Sequence, residues 1–485
     1  MISTFTYFTY FCKKVSNDKS LIAIFVLLCT SMSAAAQTLP GYEQHRIKDS
    51  LPKSYLHSGL SPQKKHFGRA AGELAFVEIL PWTFDKFLKK ADYTNISFKT
   101  VGNNLKPASW TWDDDNFQTN QFGHPFHGSQ FYNSFRSNGY SLWQSAPAVF
   151  VGSYVWESTA ENQPPAINDF INTSFGGIVL GEMTHRLSNK LINSNRSGLR
   201  RQASEVLGFL INPVNGLNRI LDGKWGKVTH QQNKDSSKIS VDFDIGFRRF
   251  NANNTNFIKN GDFGWFGHIK ILYGTPYKDY DTPFSNIAIN VEVGKDDSSK
   301  VNIVSVYGSL AGWEIESTEK LQHLAILSAN YDFIHNAAFF YGGQSVKINL
   351  LSEYDITEKI KVNTIFGAGP ILLAAIPDPY LYLSHGRNYD YGPGFSVNGS
   401  GQITIANRFF YSINYRGGWM VTINGHPSHY FLHTLSSEIN IKASKEFSLS
   451  AESGYFNLHG SYQKYADVGR NYPYFKISTR YSLNF

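Results

Sequence analysis

The stretch YFKISTRYSLNF, residues 474–485, alternates with period two. Phe485, Leu483, Tyr481, Thr479, Ile477 and Phe475 share one face. Asn484, Ser482, Arg480, Ser478, Lys476 and Tyr474 share the other. Ile239, Val241, Phe243, Ile245 and Phe247 alternate in the same way with Ser240, Asp242, Asp244, Gly246 and Arg248. Only an extended strand sends successive side chains to opposite sides. Charges at every second position suit a strand held between lipid and a wet lumen.

Composition points the same way. Of 485 residues 15% are aromatic, with 28 Tyr and 37 Phe, as expected for aromatic girdles at two membrane interfaces. Mean hydropathy is −0.29. After residue 37 no stretch approaches the roughly 18 apolar residues of a spanning helix. A closed barrel is the other structure that satisfies its whole backbone in lipid. Further strands are expected near 262–274, 284–295, 301–312, 321–334, 337–355, 359–375, 392–406, 408–423, 429–443 and 446–460, which with the two ends gives twelve. Tight connections at Thr357-Glu358, Asn407 and Ser444-Lys445 fall on one side. The longer PDPYLYLSHGRNYDYG, Pro377 to Gly392, and 461–471 fall on the other. Earlier connections are less sharply marked, so ten or fourteen strands are alternatives.

The beginning of the chain reads as an export signal. Lys13, Lys14 and Lys19 precede the apolar run LIAIFVLLCT, followed by SMSAAAQ. This is the pattern of a signal peptide, 1–36, cut after Ala36. Residues 37–67, with Pro40, Pro52 and Pro62, read as a linker. Both cysteines, Cys12 and Cys29, lie in the signal, so thiol catalysis and cysteine metal sites are excluded from the mature chain. The formal net charge of +7 is spread without a basic block. Nucleic acid is not an expected partner, and no cofactor is expected. The predicted architecture is α+β: a helical region over 68–230, then an antiparallel barrel over 237–485. The expected location is the bacterial outer membrane. The helices would plug the lumen or cover its periplasmic mouth, because their apolar faces need a partner and a barrel this wide needs a filling. Oligomeric state is not legible.

The helical region carries the candidate chemistry. In FGHPFHGSQFYNSFRSNGYSLW, Pro125 suits a first helical position, which puts His124 at the N-cap and His127 in the first turn. A second helix is expected over 146–160 with Glu157. A third, from Asn168 to Lys190, has Asn168 and Asp169 as caps. Its Gly177 and Gly181 are spaced for close helix approach. A fourth covers Gln202 to Leu221.

His124 and His127 could ligate a metal with Glu157, Asp169, Glu182 or His185, or one could act as a base. They equally suit capping and cross-bracing of a buried helical cluster. Ser129 could be a nucleophile beside either histidine. It lacks the Gly-x-Ser-x-Gly elbow, and hydroxyls near helix starts usually satisfy the backbone. Asp113, Asp114 and Asp115 read as a solvated acidic turn. His426, His429 and His433 read as facing water or headgroups.

These motifs carry a resemblance. GHPFHGSQFYNSFRSNGYSLWQSAP, PPAINDFINTSFGGIVLGEMTHRLS and FLINPVNGLNR, in that order, resemble an uncharacterised bacterial envelope family, domain of unknown function 3943, over about 105–225. It marks Pro125, Arg136, Asn138, Gly177 and Gly181 as structural motif positions and implies no activity. His127, Glu157, Asp169 and the Gly177/Gly181 pair are also similar to VanZ-like helical proteins, whose apolar helices are longer. The strand ending at Phe485 resembles the signal read by barrel assembly machinery, which with outer-membrane lipid is the implied partner. The rival to a structural or transport protein is a lipid- or glycan-modifying hydrolase built on His124 and His127.

Overall fold

The structure is a computed structural model. It describes residues 64–484, apart from 193–195, 228–236, 254–255, 281, 297–299 and 382–386. The expected signal peptide, almost all of the expected linker, both cysteines and Phe485 lie outside the described residues. The chain forms two compact units. One comprises the described residues up to Trp110, Phe126–Pro165 and Thr184–Ser236. The other comprises Thr111–Pro125, Ala166–Met183 and Ser237–Phe485.

The second unit contains a closed antiparallel barrel of twelve strands. They are β1 (Ile239–Phe250), β2 (Asp262–Tyr273), β3 (Ile287–Gly294), β4 (Val301–Ser317), β5 (Leu321–His335), β6 (Phe340–Thr357), β7 (Ile360–Pro377), β8 (Tyr389–Ile405), β9 (Phe409–Val421), β10 (Ser428–Lys442), β11 (Phe447–Tyr462) and β12 (Val468–Asn484). β12 closes the sheet on β1, from Ser240↔Asn484 to Phe250↔Tyr474, so no edge is left unpaired. The sequence placed β8 too late. Its first residues, Tyr389 to Tyr391, had been assigned to a loop, yet they pair with β7 from Pro377↔Tyr389 onward. The β8–β9 turn sits where expected. Ala406 and Asn407 both have positive φ, 50° and 55°, as a tight hairpin requires.

One contact fixes which face is inside. Arg416 of β9 bonds Asp332 of β5 at 3.1 Å and Ser305 of β4 at 3.0 Å. These strands are not neighbours, so the contact crosses the lumen. Alternation then assigns the inner face of each strand. That face carries an ion-pair network. Lys270 meets Glu438 at 3.0 Å, and Arg480 meets Asp244 at 2.7 Å and also bonds Glu438. Glu292 joins Arg248 at 3.0 Å and Lys476 at 2.6 Å. The outer face exposes Ile245, Phe247, Leu449 and Ile477.

Toward the end that bears the β7–β8 and β9–β10 loops, the inner face turns apolar. Phe250, Ile334, Ile371, Tyr430, Leu458 and Tyr474 belong to one buried cluster. Above it lies a cavity of about 650 Å³ lined by Asn336, Phe339, Asp378, Asn388, Tyr430 and Leu458 among others.

The described α-helices are α1 (Phe67–Phe84), α2 (Phe98–Asn104), α3 (His124–Arg136), α4 (Leu142–Val155), α5 (Ile167–Ile171), α6 (Gly177–Ile192), α7 (Gly198–Ile211), α8 (Pro213–Leu221) and, between β1 and β2, the short α9 (Phe257–Asn260). The four expected helices are present but differently punctuated. Single π turns follow α1, α4 and α5 and precede α3. His124 is therefore not an N-cap: a π turn, Thr119–Gly123, runs into α3. The cap lies further back, where the Asn116 side chain accepts from the Thr119 N–H at 3.0 Å. Asp169 is likewise not a cap. α5 starts after Ala166, which has no side-chain cap bond. Close helix approach occurs at Gly176, where an added Cβ would lie 2.7 Å from the Pro125 ring.

In the first unit two buried carboxylates have side-chain partners. Glu205 receives Arg201 at 2.6 Å and Arg219 at 2.7 Å. Asn138 donates to Glu73 at 2.7 Å. Arg136 donates to the Tyr140 carbonyl at 3.0 Å, bracing the turn at Gly139, whose φ is +88°.

Candidate functional site

Within the second unit, Thr111–Pro125 and Ala166–Met183 build a buried polar cluster. Its centre is Asn120, which is fully buried. Its side-chain amide donates to Asp113 at 2.9 Å and to the hydroxyls of Tyr389 at 2.7 Å and Tyr391 at 3.0 Å. Asn168 answers from α5. Its amide donates to Asp169 at 2.7 Å and to Tyr391 at 3.0 Å, and its carbonyl accepts the Asp113 N–H at 2.8 Å. The amide of Asn172 donates to the Asn120 carbonyl at 3.1 Å. Trp112 stacks on Tyr391 with ring centres 5.3 Å apart.

His124 faces this cluster. Its Nδ1 lies 3.2 Å from the Thr173 hydroxyl and its Nε2 lies 3.5 Å from Asp169. The structure therefore brings together two of the expected site residues, His124 and Asp169. A histidine with a carboxylate on one nitrogen and a hydroxyl near the other can hold a proton in a fixed place.

The Pro125 ring has a local consequence. Proline has no N–H to offer the carbonyl four residues back, that of Gln121. The Tyr331 hydroxyl donates to that carbonyl instead. Phe117 stacks on Phe333 at 5.3 Å, and Arg387 donates to the Asp113 carbonyl at 3.0 Å. Tyr331, Phe333, Tyr389 and Tyr391 stand one residue out of phase with the inward Asp332 and Asp390. They lie on the outward face, yet none is more than 1% exposed. Gly342, on the same face of β6, leaves room for Gln121: an added Cβ would lie 2.6 Å from its Oε1.

The acidic triplet is not the expected solvated turn. Asp113 is half-buried and accepts from Asn120 and from the Asp115 N–H. Burial lifts its carboxyl above the ordinary range, against those hydrogen bonds. Burial, and then the charge of Asp113, push Asp115 up to about 6.

The remaining candidates make other contacts. In the first unit, His127 Nε2 lies 3.0 Å from the Val77 carbonyl, so that nitrogen carries the proton. The ring packs against Phe131 and Trp156, and burial lowers its pKa to about 4. Ser129 donates to the Phe126 carbonyl at 2.6 Å and accepts from Gln130. His185 Nε2 faces the Asn189 amide at 2.9 Å. Glu157 and, in the second unit, Glu182 are buried. Asn120, Tyr389 and Tyr391 were not anticipated, and Asn168 only as a cap. The alternation of Tyr389 and Tyr391 with Asp390 and Gly392 was the one available signal.

The barrel resembles solved porins weakly. The NanC porin matches at 10% identity and TM-score 0.28, over 48% of this chain and 98% of its own. The KdgM porin matches at 12% and 0.24, over 50% and 99%. The anion-selective porin from Comamonas acidovorans matches at 8% and 0.24, over 51% and 99%. No curated protein matches. Residues 109–214, which hold His124, Asp169 and most of the buried amides, match the family described as "Domain of unknown function (DUF3943)".

Proposed function

We propose that this is a porin-like outer-membrane protein that passes small polar or charged solutes through a constricted lumen. The carrying observation is that two ion pairs cross the lumen, Arg416 to Asp332 and Lys270 to Glu438. Charged constrictions of this kind select among permeating solutes. These charges sit on non-adjacent strands and meet across the interior, which puts them in the path of a permeating solute. The apolar outer face supports a lipid setting. The aromatic cluster beneath the 650 Å³ cavity is the resting closure.

The contacts of Thr111–Pro125 favour a different role from a lumen plug. They fall on outward-facing residues of β5, β6 and β8, which supports a segment bound to the barrel wall. The hydrolase reading needs the His124 cluster to open onto a cavity. His124, Asn168, Asp169 and Asn120 are each at most 3% exposed and mutually bonded, which favours a scaffold.

Conductance of the purified protein in planar bilayers tests this reading. Wild type should conduct weakly, and the Tyr430→Ala/Leu458→Ala variant should conduct strongly. A folded double variant that stays silent would leave a structural barrel as the better reading.

A further inference from the structure

Three residues at the loop-bearing end of the barrel approach one another with no role in the network above. Asp378 lies just past β7, Asp390 near the start of β8, and His426 in the β9–β10 connection. One ligand atom from each lies within 4.8 Å of the others. Asp378 and Asp390 are 1% and 0% exposed. Two buried carboxylates this close repel each other unless a proton or a cation lies between them.

The rest of the site is built. His426 Nδ1 lies 2.6 Å from Asp378 Oδ2. The other oxygen of Asp378 accepts from the Tyr380 N–H at 2.9 Å and the Tyr462 hydroxyl at 3.1 Å. That fixes its plane in the way that outer partners orient a ligating carboxylate. Asp390 Oδ2 accepts the His426 N–H at 3.3 Å, while no donor reaches its buried Oδ1. An added Cβ at Gly425 would lie 1.7 Å from that oxygen, so glycine leaves its approach open. Arg387 acts electrostatically on Asp390, but its guanidinium is engaged by the Asp113 carbonyl.

We propose that Asp378, Asp390 and His426 form a divalent transition-metal site. Two carboxylates and one imidazole are a donor set for Zn²⁺ and its neighbours, whereas Ca²⁺ takes oxygen ligands alone. The metal replaces the proton on His426 Nδ1 and takes the free oxygen of Asp390. It ties the β7–β8 connection to the β9–β10 connection beside the 650 Å³ cavity, of whose lining Asp378 is part. The site does not depend on the transport reading, because it stands on coordination geometry alone.

The test is calorimetric titration of the full-length protein in detergent, stripped with chelator, with zinc chloride and separately with calcium chloride. Heat-modifiable mobility on gels confirms that each variant's barrel is folded. One zinc per chain should bind, and His426→Ala and Asp390→Asn should each weaken it by on the order of tenfold or more. Asp332→Asn, in the lumen network, should bind as wild type. Absence of zinc binding by wild type would overturn the proposal in favour of a shared proton. So would binding that survives both folded variants, or a preference for calcium.

Discussion

The barrel's lumen and its outward face at β5–β8 are both rich in buried polar groups, and they satisfy them by opposite means. The lumen uses formal charges: Lys476, Arg248 and Glu292, each at most 5% exposed, share one network. The outward face uses neutral amides and hydroxyls, chiefly Asn120, Asn168, Tyr389 and Tyr391. A lumen connected to water can ionise its groups when the strands close. An outward face sealed by a bound segment has no such water, and an amide with both ends bonded is cheaper to bury there than a charge.

The largest way to break the comparison is through the lumen. Glu292→Leu leaves Lys476 and Arg248 buried without their shared carboxylate. Removing one partner of such a set costs about 3–5 kcal/mol. The barrel's unfolding midpoint in urea should drop accordingly, while contacts of Thr111–Pro125 stay protected from protease. A variant as stable as wild type would mean that water screens these charges and the network is ornamental.

The first unit offers a third solution, in which burial shifts the proton equilibrium. Burial lifts Glu73 from 4.5 to about 7, against hydrogen bonds from Asn138 and Asn218. The folded state thus holds a proton that the unfolded state has released between those pH values. Stability contributed by neutral Glu73 is fully present below about 4.5 and is lost as pH rises toward 7, by about 3 kcal/mol at most. His127 runs the other way. Burial lowers it from 6.5 to about 4, so its contribution is present above 6.5 and is lost as pH falls. The opposed slopes flatten the wild-type profile between pH 4.5 and 6.5. Helical melting of the full chain in Glu73→Gln should expose the His127 slope, with stability falling toward acid. A profile that stays flat would show that the two shifts do not oppose each other.

These contrasts explain what was legible from sequence. Strand number and the two faces of the end strands could be read because alternation is local and a turn such as Ala406-Asn407 announces itself. The misses lie at strand ends: β4 runs five residues past 312, β12 starts at Val468 inside the expected 461–471 loop, and β8 starts at Tyr389, where Asp390 and Gly392 look like turn residues although Tyr389 and Tyr391 keep the alternation. The amide cluster could not be read, because Asn120 and Tyr389 stand 269 positions apart and nothing local marks either. His124 and Asp169 were legible as possible partners in a site, and they do meet, but the cap positions also read for them do not hold. A π turn, Thr119–Gly123, displaces the cap at His124, and α5 already begins after Ala166, two residues before Asp169; helical periodicity encodes neither. Asp113 was misread for the same reason: three aspartates in a row look solvated until a distant asparagine is placed against them.

On the outward face the expected effects are smaller. Asn120→Leu removes the amide shared by Asp113, Tyr389 and Tyr391. Leaving buried acceptors without their donor costs about 1–3 kcal/mol. Because the barrel's ladders are untouched, the urea midpoint should hardly move while protease cleaves within Thr111–Pro125. Loss of the barrel itself would show that the amide cluster supports the sheet, and the contrast with the lumen would collapse.

The finest test concerns one hydroxyl. Tyr331→Phe keeps the ring but removes the donor that satisfies the Gln121 carbonyl, at a cost of about 1 kcal/mol. That carbonyl needs the tyrosine because Pro125, four residues on, has no N–H. Pro125→Ala restores a backbone donor at the position from which an α-helix would supply one. The two changes are therefore coupled. Tyr331→Phe should cost its full amount beside Pro125 and almost nothing beside Ala at 125, measured as protection of the segment from protease. Equal costs in both backgrounds would mean that the hydroxyl and the proline act independently. The proline would then serve only to pack against Gly176, and its missing N–H would have no part in holding the segment to the wall.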